Sequence, residues 1–150
     1  MGVVTWGATA ISVSASGQEG DVVMLRMRID DGVRAGIPPV VQQNLTIEQD
    51  QSEAAKELIR RAPPTRAVPV IMIIAGAMAI PVVLQMIKEL LRQTYYGGVI
   101  IDTRPQPPTV TSDPKIPANM VFVIKTDGKT SQFTSNQLSP DLIRALLRGK

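Results

Sequence analysis

Between Ala67 and Ile87 the chain runs for twenty-one residues without a charge, A-V-P-V-I-M-I-I-A-G-A-M-A-I-P-V-V-L-Q-M-I, with one amide at Gln85. No other feature restricts the fold so strongly. As a helix the run is about 31 Å long, close to the thickness of the hydrocarbon core of a bilayer. It is apolar on all sides rather than striped, so in water every face would need apolar cover. Arg60, Arg61 and Arg66 precede it, Lys88, Glu89 and Arg92 follow it, and Tyr95 and Tyr96 lie one to two turns further on. Cations at both ends, with tyrosines beyond one of them, are the usual flanks of a membrane interface. The expected element is a single membrane-spanning helix, with Arg66, Lys88, Arg92, Tyr95 and Tyr96 as interface anchors, and the expected location is a membrane. The alternative is a helix buried in the centre of a small α/β domain or in a dimer interface.

Within such a helix Pro69 falls in the first turn, where a missing N–H costs nothing, but Pro81 lies deep inside and frees the carbonyl of Ala77. Membrane helices tolerate this kink when a neighbour or water satisfies the carbonyl. Ala75, Gly76 and Ala79 form a small-residue patch that lets a second helix approach closely. Gln85 is either a hydrogen-bond donor between helices or an interface residue near the end. Residues 48 to 67 hold four Lys or Arg and residues 88 to 107 hold three, a difference too small to orient the helix.

Before the run, the amino terminus has no Lys or Arg until Arg26 and is not read as a cleaved signal. Trp6 occupies the place where a myristoylation motif needs Ser or Thr. Ile11, Val13 and Ala15 alternate with Ser12 and Ser14, S-G-Q-E-G-D makes a turn, and Asp21 to Asp30 alternates again with Val23, Leu25, Met27 and Ile29 on one side. The pair reads as a hairpin or sheet fragment. Thr46, with Gln49 three residues on, resembles a capping box that opens an amphipathic helix through about Ala62. A-P-P-T then forms a stiff hinge at Pro63 and Pro64.

After the run, the helix is expected to continue to Tyr96 and to end at Gly97-Gly98. V-I-I-D-T-R is a short strand and P-Q-P-P-T an extended linker. Met120 to Lys125 and Thr130 to Thr134 are strands joined at Asp127-Gly128, a dipeptide that tight hairpins favour. Ser139-Pro140-Asp141 supplies an N-cap, a proline for the first helical position and an acid for the first turn of a last helix, whose apolar face is Leu142, Ile143, Leu146 and Leu147.

The expected fold class is therefore α+β: one long central apolar helix, flanked by a small β-hairpin and helix unit before it and a small β-hairpin plus helix unit after it. The units are residues 1–62, the hinge and span 63–97, and residues 98–150.

The chemistry available is sparse. The chain contains neither Cys nor His, which removes thiol nucleophiles, disulfides, Cys/His zinc sites and histidine bases. Neither phosphate-loop pattern, G-x-x-x-x-G-K or G-x-G-x-x-G, occurs. A net charge of +3 and five aromatic residues give neither the basic bias nor the stacking platform of a nucleic-acid binder. Asp127-Gly128-Lys129 is a turn rather than a binding loop, and Asp102 with Arg104 and Asp113 with Lys115 are solvated loop charges. No catalytic, cofactor or metal residues are expected. The function expected is non-enzymatic: a single-pass membrane-anchored interaction or assembly protein whose partners are the bilayer and other proteins or itself. The alternatives are an oligomeric pore or lysis protein, which a span holding only Gln85 disfavours, and a soluble accessory or regulatory binding module that encloses the apolar run.

Overall fold

The computed structural model describes residues 22–64 and 67–148. In chain order its strands and helices are β1 (Val22–Asp30), α1 (Asp31–Ala35), α2 (Pro39–Gln42), β2 (Leu45–Gln49), α3 (Glu53–Arg61), β3 (Ile71–Ala79), α4 (Ile80–Arg92), β4 (Gly98–Asp102), β5 (Thr109–Asp113), β6 (Met120–Ile124), β7 (Thr130–Thr134) and α5 (Pro140–Leu147). Short 3-10 turns lie at Thr94–Tyr96 and Ser135–Gln137.

The apolar run is two elements, and they meet at Ala79. β3 passes directly into α4, with Ala79 extended at φ −67° and ψ 144° as the N-cap. Pro81 sits in the first turn of α4, where its absent N–H is one of the unpaired donors of any helix start. The proline that would have kinked a longer helix instead begins a shorter one. From there the pattern is striped: Ile80, Val83, Met86, Ile87, Leu90 and Leu91 are buried, while Pro81, Gln85, Lys88 and Arg92 are exposed. At thirteen residues α4 reaches about 20 Å. Among the described residues no helix is long and apolar enough to cross a membrane. This overturns the membrane-spanning helix, the single-pass membrane location and the fold built around one long central apolar helix. The physical reason lies in β3. Hydrogen-bonded on both edges and apolar on both faces, it lacks the alternation that marks a half-exposed strand and so resembles a helical span in sequence.

One seven-stranded sheet takes strands from before, within and after the apolar run, in the order β2-β3-β1-β5-β4-β6-β7. Neighbours are antiparallel except β1 with β5 and β4 with β6, which are parallel. Gly76 permits a close approach within it. Its φ is +146°, and a Cβ there would stand 2.8 Å from the Asn44 carbonyl oxygen and 3.0 Å from Leu45 Cδ2, so only glycine lets β2 lie against β3.

The principal core fills one face of the sheet. Leu25, Met27 and Ile29 of β1, Ile74 of β3, Val99 and Ile101 of β4 and Val121 and Val123 of β6 pack with the buried stripe of α4 and with Ile143 and Leu147 of α5. α5 begins as its sequence indicates: Ser139 Oγ accepts from the Leu142 N–H at 3.1 Å, with Pro140 in the first turn. The β6–β7 hairpin also follows its turn chemistry, with Gly128 at φ +87° and Asp127 Oδ1 accepting from the Lys129 N–H at 2.9 Å.

The helix expected from Thr46 onward is a strand followed by a helix. Leu45 to Gln49 pair with β3, and the N-cap is Ser52, whose Oγ accepts from the Ala55 N–H at 3.2 Å. Pairing with β3 satisfies the backbone groups of Thr46 to Gln49 that face it, which the capping box would have left to a first helical turn. The alternating stretch Ile11, Val13 and Ala15, and Arg66, lie outside the described residues.

Candidate functional site

Only one face of the sheet carries α4 and α5. Side chains alternate along each strand, and the register puts two rows of residues on the opposite face. One runs Thr46, Ala75, Arg26, Thr109, Asp102, Ile124, Thr130. In the other, Glu48 and Arg28 flank Ile73 on one half of the sheet, and Thr111, Ile100, Phe122 and Gln132 continue on the other half.

Among the described residues this second face is capped only at one end. There Ile71 packs with Ala55 and Leu58 of α3 and with Tyr96, in a small core separate from the main one. The Tyr96 hydroxyl donates to Asp30 Oδ2 at 2.9 Å, and Asp30 Oδ1 accepts from the Val33 N–H at 2.9 Å, which caps α1. Burial, reinforced by the Asp30 carboxyl, pushes the Tyr96 phenol well above its ordinary pKa. Beside it Arg28 Nε donates to Asp50 Oδ2 at 2.7 Å. Burial alone would raise the Asp50 pKa, but the hydrogen bonds from Arg28 and Ser52 outweigh it and the net shift is downward.

Away from that cap the described residues leave the face bare. Met24 is 58 % exposed, Ala77 beside it is exposed, and Ile73, Ala75, Ile100, Phe122 and Ile124 are half-buried. Strands with one wetted face normally alternate apolar and polar residues. β3 and β6 are apolar on both faces, and the uncovered one holds side chains suited to contact with another apolar surface.

A groove of about 470 Å³ opens at the end of β1 opposite the cap, where Val22 to Met24 face Thr103, Gln106, Thr126 and Leu147. β1 is paired with β3 along its whole length, but with β5 only at Arg26 and Met27. On the β5 side, the first four residues of β1 therefore have no strand neighbour among the described residues.

No family model, curated protein or solved structure matches this chain.

The residues singled out in the sequence are dispersed by the fold. Ala75, Gly76 and Ala79 lie on β3, a strand rather than a helix face, and Pro81 opens α4. Gln85 is exposed and donates to Glu89 Oε2 at 3.3 Å, while Arg92 pairs with the same oxygen at 3.0 Å. Lys88 is exposed on the same helix. Tyr95 donates to Gln93 Oε1 at 2.6 Å and meets the ring of Tyr96 edge-on at 4.5 Å, so the two tyrosines serve the small core. Arg104 grips Asp102 through two hydrogen bonds of 2.9 and 2.8 Å and holds its carboxyl below the usual range. Among the described residues no group of three Asp or Glu is placed to hold a metal ion. Sequence reading missed Met24, Ile73, Ile100 and Phe122 as one surface. The available signal was the continuous apolar character of β3 and β6, which already implied strands seeking cover on both faces.

Proposed function

We propose that this chain is a non-enzymatic protein-interaction module, and that it binds through the face of its sheet that the described residues leave uncovered. The observation that carries the reading is the exposed apolar strip at Met24 and Ala77, continuous with half-buried Ile73 and Ala75 on the face opposite α4. Covering such a strip with a complementary surface removes apolar area from water at roughly 25 cal/mol per Å². The charged residues along it, Arg26 and Asp102, supply orientation at its centre.

A photoreactive amino acid at position 24, compared with the same group at exposed position 85 on α4, tests this. Adducts to a protein are expected from position 24 and not from position 85. Met24→Glu is expected to abolish the association while leaving the thermal midpoint within about 2 °C, as for an exposed substitution. Equal labelling from both positions, or none from position 24, defeats the proposal.

A further inference from the structure

The proposed binding face carries a residue pattern that reads alike in both directions from its middle strand. β5 is the fourth of seven strands, with β2, β3 and β1 on one side and β4, β6 and β7 on the other. The row through Thr109 is Thr46, Ala75, Arg26, Thr109, Asp102, Ile124, Thr130. Outward from Thr109, each side presents a charge, then an apolar side chain, then a threonine, and the two charges are opposite in sign. The neighbouring row is Glu48, Ile73, Arg28, Thr111, Ile100, Phe122, Gln132, again with polar ends, an apolar residue inside each end and a threonine on β5. Arg28 and Ile100 break the symmetry of that row, but Arg28 is already held by Asp50 at 2.7 Å.

We infer that the partner of this face is a second copy of the chain, packed sheet on sheet about a two-fold axis that runs close to β5. The inference rests on the interaction reading above and names its partner. A two-fold axis along β5, midway between the facing sheets, exchanges the two halves of each row. It sets Arg26 of each copy over Asp102 of the other, Ala75 over Ile124 and Ile73 over Phe122, while Thr109 meets its own copy. An isologous interface requires this self-complementarity. An axis laid across the strands in the same row would instead set Arg26 on Arg26 and Asp102 on Asp102. Aligned sheets pack about 10 Å apart, a gap that a long arginine facing a short aspartate can span. Arg104 donates to both oxygens of Asp102, and each oxygen has room for a second donor, so Asp102 is held in place to receive Arg26. Seven strands about 4.8 Å apart, each contributing five residues of about 3.4 Å, give a face of roughly 30 by 17 Å. Two such faces bury on the order of 1,000 Å², the size at which specific interfaces begin.

Sedimentation equilibrium of the full chain tests this. The wild-type chain is expected at twice the monomer mass. Arg26→Asp and Asp102→Arg are each expected to weaken self-association by at least about a hundredfold, because each sets like charges together at both contacts. Mixed in equal amounts, the two variants are expected to recover the wild-type affinity, since both contacts of the mixed pair are then opposite in sign. A mixture that stays monomeric overturns the two-fold arrangement, as does a dimer that neither variant weakens. The chain has no native Cys, so a second test leaves the charges intact. Thr109→Cys is expected to be joined to its own copy by a short bismaleimide, and the exposed Gln85→Cys is not; the reverse result also overturns the arrangement. A monomeric wild-type chain whose position 24 still labels a protein of another mass overturns the second copy and leaves the interaction reading standing. A monomer with no labelling from position 24 defeats both.

Discussion

Tyr96 and Asp30 are 66 residues apart in sequence and joined at 2.9 Å by a hydrogen bond from phenol to carboxylate oxygen, with each residue 1 % exposed. The bond ties the chain leaving α4 to the end of β1, at the point where β1 turns into α1. Tyr96→Phe keeps the ring and its contact with Tyr95 but leaves Asp30 Oδ2 buried without its donor. The expected cost is about 1–3 kcal/mol. Asp30→Ala is expected to cost more, because it also removes the cap on the Val33 N–H. A double-mutant cycle by urea unfolding checks this, and purely additive effects would show that the bond contributes nothing of its own.

Gly76→Ala addresses the β2–β3 contact. Its positive φ and the nearby Asn44 carbonyl both oppose a Cβ, and a loss on the order of 1–3 kcal/mol is expected. Amide exchange should rise first in Leu45–Gln49, since β2 is an edge strand. Unchanged stability would mean that β2 does not lie against β3 as described.

The division between β3 and α4 has its own signature. Pro81→Ala replaces an exposed first-turn proline, and its effect is expected within about 0.5 kcal/mol. Gln85→Pro places proline in the helix interior and is expected to cost about 3 kcal/mol or more. Comparable losses from the two substitutions, measured by thermal unfolding, would contradict a helix that starts at Ile80.

The Arg28–Asp50 pair predicts a pH effect. Because the folded-state pKa of Asp50 is lowered, its contribution is complete above the ordinary carboxyl value of about 3.9 and is lost as pH falls through the lowered value. Asp50→Asn is expected to destabilise the protein at neutral pH and to flatten the acid limb of stability against pH. Urea midpoints of the two proteins should converge as pH falls below the lowered value, and parallel curves would refute the assignment.

Ser112 Oγ is buried and has no hydrogen-bond partner among the described residues. Ser112→Ala removes an unpaired hydroxyl at little loss of volume, and a gain of about 1 kcal/mol is expected. A loss of that size in chemical denaturation would reveal an unrecognised partner for the hydroxyl.

What could be read from the sequence alone rests on short-range rules. The Asp127-Gly128 turn carries the β6–β7 hairpin, Ser139 and Pro140 start α5, and alternation from Val23 to Ile29 marks the buried side of β1. Each of these signals acts within a few residues, so no knowledge of distant partners is needed. Tertiary structure decided the rest. β3 is apolar on both faces, and only its pairing with β1 and β2 distinguishes it from the first half of a membrane-length helix. Thr46–Gln49 became a strand because β3 offers backbone partners that a capping box cannot match. β5, hidden in a stretch that begins as a proline-rich linker, exists because β1 and β4 leave a place between them. The small core around Tyr96 and the face at Met24 that the described residues leave bare depend on which elements cover which surface. That is a property of the assembled sheet, and local sequence periodicity does not encode it.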